Sequence, residues 1–154
     1  MTAEPFVPDA FDPPHGLSDS RFVLEPLGPE HNERDYAAWT SSIEHIRATP
    51  GFDGLSWPHP MTLEENRADL ERHQREFADR TGFTYTVLDP ADGDVVGCLY
   101  IYPPKDEPGV RVRSWVRADR AALDVPVAEA VADWLRTAWP FAHVRYLGRP
   151  ELSR

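Results

Sequence analysis

Apolar residues along this chain come in short runs whose period switches between two and roughly three and a half, and each switch marks an element. From Arg21, the residues Phe22, Val23, Leu24, Pro26 and Leu27 form a short strand closed by Gly28-Pro29. Asn32, with Asp35 three residues on, predicts an N-cap. Tyr36, Trp39, Ile43 and Ile46 then recur at helical spacing until Thr49-Pro50-Gly51 stops the first helix. Phe52 to Pro60 reads as a loop. Thr62-Leu63-Glu64-Glu65 has the capping-box pattern and opens a second helix with Leu63, Leu70 and Phe77 on one stripe. Two β-rich runs, Phe83 to Leu88 and Val95 to Tyr102, are joined by the turn-forming Asp89-Pro90-Ala91-Asp92-Gly93-Asp94 and predict a hairpin. In a third run, Val110, Val112, Ser114 and Val116 alternate with Arg111, Arg113, Trp115 and Arg117. Val127, Val131, Trp134, Leu135 and Ala138 predict a helix that starts near Pro126, capped by Asp124, and ends at Trp139-Pro140; Val144 to Leu147 adds a last strand.

The order β-α-α-β-β-β-α-β specifies an α/β (α+β) fold: a mixed, mostly antiparallel sheet of about five strands flanked by three helices, with Val127, Val131, Trp134 and Leu135 against the sheet. Residues 1–20, with Pro5, Pro8, Pro13, Pro14 and Gly16, read as a proline-rich arm whose Phe6, Val7 and Phe11 give it apolar surface to lay across the rest. Residues 21–154 read as a single domain, since 154 residues with 41% hydrophobic content suit one core.

A net charge of -10 narrows the partners, because nucleic-acid backbones and anionic lipids are held by clustered Lys and Arg. No apolar run approaches the roughly 20 residues of a membrane span, and the N-terminus lacks the pattern of a signal peptide, so the expectation is a cytoplasmic protein without nucleic-acid or membrane partners. Cys98 is the single cysteine, expected as a small buried hydrophobe, and the six histidines lack the close spacing of metal ligands, so no metal is expected.

Candidate chemistry lies in three places. Arg111, Arg113, Arg117 and Arg120 form a local basic cluster that either holds phosphates or a carboxylate-bearing ligand, or is a solvated strand face paired with acids. Trp57-Pro58-His59 stands in the loop between the first two helices and is either substrate-facing or packed by its tryptophan. Tyr100 and Tyr102 offer hydroxyls over a pocket or simple packing in the hairpin.

The opening Arg21-Phe22-Val23-Leu24-Glu25-Pro26-Leu27, two helices, a hairpin containing Val95-Val96-Gly97 and a strand feeding a helix through Ser114-Trp115-Val116-Arg117-Ala118-Asp119-Arg120-Ala121-Ala122-Leu123-Asp124-Val125 resemble the GNAT acetyltransferases over about residues 21 to 147. The resemblance implies acetyl-CoA as cofactor, with its pyrophosphate at the helix N-terminus and Trp115, Val116, Arg117, Arg120, Ala121 and Ala122 beside it. It implies acyl-CoA-dependent N-acetyl transfer to a small-molecule or peptide amine facing Trp57, His59, Tyr102 and Arg113, with amides around Trp115 and Val116 polarising the thioester carbonyl. Leu123 and Val125 stand where the family has glycines, and Asp124 brings a negative charge to the phosphate position. These departures define a second reading, a non-catalytic binding or assembly protein that has lost the cofactor loop. No Glu or Asp on the strand from Val110 to Arg117 offers a catalytic base, so the catalytic residues stay unassigned. The family also usually continues past the last strand found here, which predicts an uncovered sheet edge and a two-fold homodimer.

Overall fold

The computed structural model describes residues 5–154. Its centre is a six-stranded sheet in sequence order, β1 (Leu17–Ser18), β2 (Val23–Pro26), β3 (Phe83–Leu88), β4 (Val95–Tyr102), β5 (Val110–Val116) and β6 (Val144–Tyr146). All neighbours run antiparallel except β5 and β6, which are parallel. The additional strand, β1, is the part that periodicity did not reveal. Leu17 and Ser18, inside the proline-rich arm, pair with Leu24 and Val23, and a two-residue strand is too short to show alternation.

The arm is packed in place. Val7 is buried, Phe6 stacks on Phe83 and Phe141, the Tyr85 hydroxyl donates to the Pro14 carbonyl, and the Arg80 guanidinium donates to the carbonyls of Pro8 and Phe11.

Helices flank the sheet as α1 (Asn32–Thr40), α2 (Ile43–Arg47), α3 (Leu63–Asp79) and α4 (Asp124–Ala138). There are four rather than three because the first helical pattern breaks at Ser41-Ser42. Thr40 and Ser41 hydroxyls bond the carbonyls of Tyr36 and Ala38, and Ser42 leaves the helical region at φ −134°. Asn32 is already helical, with His31 in the cap position. The capping box of α3 is present as read: Thr62 Oγ1 accepts from the Glu65 amide at 3.0 Å, and Glu65 Oε1 accepts from the Thr62 amide at 2.8 Å. Leu63, assigned to the apolar stripe, is instead exposed at the start of that helix.

Two apolar clusters result. One gathers Phe83, Tyr85 and Val87 of β3 and Val110, Val112 and Val116 of β5 under the α4 residues Val127, Val131, Trp134 and Leu135. The other gathers Trp39, Ile46, Phe52 and Leu70 of the helical layer over Val95, Cys98 and Trp115. Cys98 is a buried free thiol, and desolvation pushes its pKa well up, so it behaves as a hydrophobe.

β6 pairs with β5 only from Val110↔Val144 to Val112↔Tyr146, so the far end of β5 runs beyond its partner. The other side of β6 is lined by the chain itself: Val144 and Arg154 exchange backbone hydrogen bonds at 3.1 and 3.0 Å, and Ser153 Oγ accepts from the Tyr146 amide. The edge on which homodimerisation was expected is therefore partly occupied from within. No helix is long and apolar enough to cross a membrane among the described residues.

Candidate functional site

The second apolar cluster stops short of filling the space between α1, α3, the loop after α2 and the strands β4 and β5. What remains is a cavity of about 270 Å³. Its aromatic walls are Phe52, Trp57, Tyr100 and Tyr102, and its polar walls include Asp35, Asn66, His73 and Arg113. All four residues expected to face a substrate, Trp57, His59, Tyr102 and Arg113, line it.

Backbone and side chain fix each wall. The Trp57 ring lies 5.6 Å from Trp39, 6.1 Å from Trp115, 6.2 Å from Phe52 and 6.4 Å from Tyr100 between centroids, and the Arg47 guanidinium ties its loop by donating to the Pro58 carbonyl at 2.9 Å. Arg113 is set by two glycines. Gly51 (φ +94°) and Gly148 (φ +77°) pack backbone against backbone, so closely that a Cβ on Gly148 would sit 2.3 Å from the Gly51 nitrogen. The Gly51 carbonyl held by this contact accepts from Arg113 Nε at 2.8 Å.

Asp35, Asn66 and His73 were not singled out by sequence reasoning. Asn66 Nδ2 donates to Asp35 Oδ2 at 3.1 Å and to Asn32 Oδ1 at 2.8 Å, while its own Oδ1 accepts from Trp39 Nε1 at 3.0 Å. Burial is the main cause that lifts Asp35 from an ordinary 3.8 to about 6, against the lowering effect of the Asn66 amide and of nearby His73 and His31.

His73 spends its hydrogen bonds on one ring nitrogen. Nδ1 lies 3.1 Å from Thr84 Oγ1, 3.2 Å from Tyr102 Oη and 3.4 Å from Glu76 Oε1. Tyr102 in turn donates to Glu76 at 2.7 Å. The His73 contact is the largest cause holding the Glu76 carboxyl near 2, followed among the lowering causes by Tyr102, while burial opposes both. Burial, then Glu76, pushes Tyr102 up to about 12. A carboxylate at Nδ1 favours the proton there and leaves Nε2 as an acceptor on a ring that lines the cavity. The signal was present in the spacing: Asn66, Leu70, His73 and Phe77 fall on one face of α3, so two polar residues sit on its buried stripe.

The residues expected around acetyl-CoA have other partners. Trp115 is buried and its Nε1 donates to Tyr100 Oη at 2.9 Å; Val116 is buried in the core. Arg117 pairs with Asp94 and Asp119, each at 2.9 Å, and Arg120 with Asp89 at 2.8 Å. Ala121 and Ala122 are exposed on a 3₁₀ turn, Ala118–Leu123, that runs straight into α4. The amide of Ala118 is taken by Ser42 Oγ at 2.9 Å.

Asp124 is not the helix cap expected of it. It is already helical, and its carboxylate accepts from Arg149 Nη2 at 2.8 Å on both oxygens. Arg149 is 5% exposed, so the first residue of α4 carries a largely buried ion pair, and its carboxylate adds negative charge at the helix end where a phosphate would be drawn. No residue from 118 to 125 has positive φ, so the stretch does not form the concave nest of amides that binds pyrophosphate. The residues present do not fit the group. Among the described residues no three His, Cys, Asp or Glu side chains converge as metal ligands.

No protein-family model and no curated protein matches the chain. Solved structures do. The ribosomal-protein-S5-alanine acetyltransferase of Vibrio fischeri superposes with a TM-score of 0.61 at 11% identity, over 80% of this chain and 68% of that one. The microcin C7 self-immunity acetyltransferase MccE, in complex with acetyl-CoA and AMP, gives 0.62 at 12% identity over 80% and 66%. The ribosomal L7/L12 α-N-protein acetyltransferase RimL gives 0.58 at 10% identity over 77% and 62%. The chain thus spans about two thirds of the length of these proteins, and through the order of its elements, the pairing of its strands and these superpositions it is shown to have the fold of the GNAT acetyltransferases.

Proposed function

We propose that the chain uses the GNAT scaffold to bind a small amine in the cavity between α1, α3 and the β4–β5 face, with the cofactor loop closed. One contrast carries this reading: the cavity keeps polar groups turned to an empty space, while every cation and the leading amide of the junction after β5 are consumed within the chain. For an amine the cavity supplies the Asp35 carboxylate, ionised at neutral pH, and the His73 acceptor.

A second reading, N-acetyl transfer to the same amine, is favoured by the fold and by the acetyl-CoA complex of MccE. In it His73, held by Glu76 and Tyr102, would take the proton of the amine at Nε2. Titration calorimetry with acetyl-CoA separates the two. The closed loop is expected to leave a Kd weaker than about 1 mM, less than about 4 kcal/mol of binding free energy. Micromolar acetyl-CoA binding, or thiol release with any amine in a panel, would overturn the binding reading in favour of the transferase.

A further inference from the structure

Of the arginines clustered along β5 and the turn after it, Arg111 and Arg113 have no carboxylate partner among the described residues, and Arg113 is the one that lines the cavity. Arg117 and Arg120 pair with aspartates, and Arg111 donates to the Pro103 carbonyl and lies over the Tyr102 ring. Arg113 is half-buried and has no carboxylate within ion-pair distance among the described residues. Its Nε is fixed on the Gly51 carbonyl. The four N–H donors of Nη1 and Nη2 remain, on a guanidinium anchored at Nε beside the aromatic walls of the cavity.

The same cavity holds the opposite case. Asp35 is 5% exposed, with the neutral Asn66 amide as its side-chain partner and no Lys, Arg or His within ion-pair distance among the described residues. The other charges at the walls cancel locally: Arg72 lies 3.8 Å from Asp69 and 3.2 Å from Glu76, and Glu76 also meets His73. One cation without an anion and one anion without a cation share a small apolar space, and a buried charge left that way is costly unless a ligand completes it.

We propose that the cavity binds a small zwitterion, an amino acid or amino-acid-like molecule with an aromatic or apolar body, whose carboxylate is gripped by the Arg113 fork and whose ammonium is met by Asp35. This rests on the reading of the cavity as an amine site and adds the carboxylate to it. A zwitterion without net charge suits the balance of the walls, which offer one spare positive and one spare negative charge.

The probes are L-phenylalanine and 4-(aminomethyl)benzoate, which carry both charges at different separations, with phenethylamine and 3-phenylpropionate carrying one each. Affinities are read by calorimetry and saturation-transfer NMR on the full chain. At least one zwitterion is expected to bind roughly tenfold or more tightly than phenethylamine, the discrimination of a charged hydrogen-bonded pair. Arg113→Gln should remove that advantage, and Arg113→Lys should restore part of it. The Lys variant guards against a folding defect, since it keeps the charge and loses only the fork. Phenethylamine binding as well as both zwitterions, or an Arg113→Gln variant that keeps the preference, overturns the carboxylate assignment while the amine site stands. Inorganic phosphate displacing the zwitterion as well as 3-phenylpropionate does also overturns it, because the site is then a general anion site. If none of the four probes binds, the amine site itself fails.

Discussion

Asp35→Asn should make this protein more stable at neutral pH, and the gain should vanish in acid. Burial raises the carboxyl from 3.8 to about 6, which means that the folded chain prefers a protonated Asp35. A raised folded-state value gives stability that is fully present below 3.8 and is lost as the pH rises through about 6. At about 1.36 kcal/mol for each pH unit in that window, the ionised carboxylate costs the native state about 3 kcal/mol at pH 7. The amide removes the charge at nearly constant volume, and its oxygen can still accept from Asn66 Nδ2. The neighbours that face Asp35 are Asn66, Asp69 and His73 from α3, His31 from the turn before α1, and Cys98 and Tyr100 from β4, and all are unchanged in the variant. Urea unfolding of both proteins from pH 4 to pH 8 measures the difference. The variant is expected to lead by up to about 3 kcal/mol at pH 7, and the two curves should converge near pH 4. A lead that does not change with pH, or a variant less stable at pH 7, would refute the claim that the native state bears an uncompensated charge there. A bound amine should shrink the lead at pH 7 by completing the wild-type carboxylate.

Asp124→Asn should leave the buried Arg149 guanidinium without its anion and cost about 3 kcal/mol, seen as a fall in Tm of roughly 2–4 °C per kcal/mol in a thermal melt; an unchanged Tm would show that the pair contributes nothing. For the same reason, restoring the family's loop pattern with Leu123→Gly, Asp124→Ile and Val125→Gly is expected to destabilise the chain before it can recruit acetyl-CoA, and calorimetry beside a melt reads both effects. Gly148→Ala adds a Cβ at positive φ against the Gly51 backbone and should cost about 1–3 kcal/mol, together with loss of the zwitterion preference if Gly51 sets the Arg113 fork.

The hairpin was legible to the residue because Asp89 to Asp94 is a dense run of turn formers between two β-branched and aromatic stretches. Trp57, His59, Tyr102 and Arg113 were legible as candidates because aromatics, a histidine and an arginine in a loop and on strands stand out by type. Asp35 and His73 were not, for a shared reason: each lies inside a helix whose pattern was read for caps and apolar stripes. There a buried polar residue registers only as a gap in the stripe. Asp124 invited the cap reading because its position before Pro126 suits one, and its actual partner lies 25 residues downstream, where no local pattern points. Strand β1 and the split of the first helix depend on side-chain to backbone bonds and pairing between strands that periodicity does not carry.

The division of the core into two clusters also divides the five tryptophans. Trp57 lines the cavity with Trp39 and Trp115 packed against its ring, whereas Trp134 and Trp139 pack with α4 and the arm in the other cluster. A molecule entering the cavity changes the surroundings of the first group and leaves the second in an unaltered setting. The protein therefore carries an internal optical reference: ligand arrival should alter part of its emission against a constant background, while unfolding exposes both groups together. Binding and loss of structure are separable in a single fluorescence record without any added label.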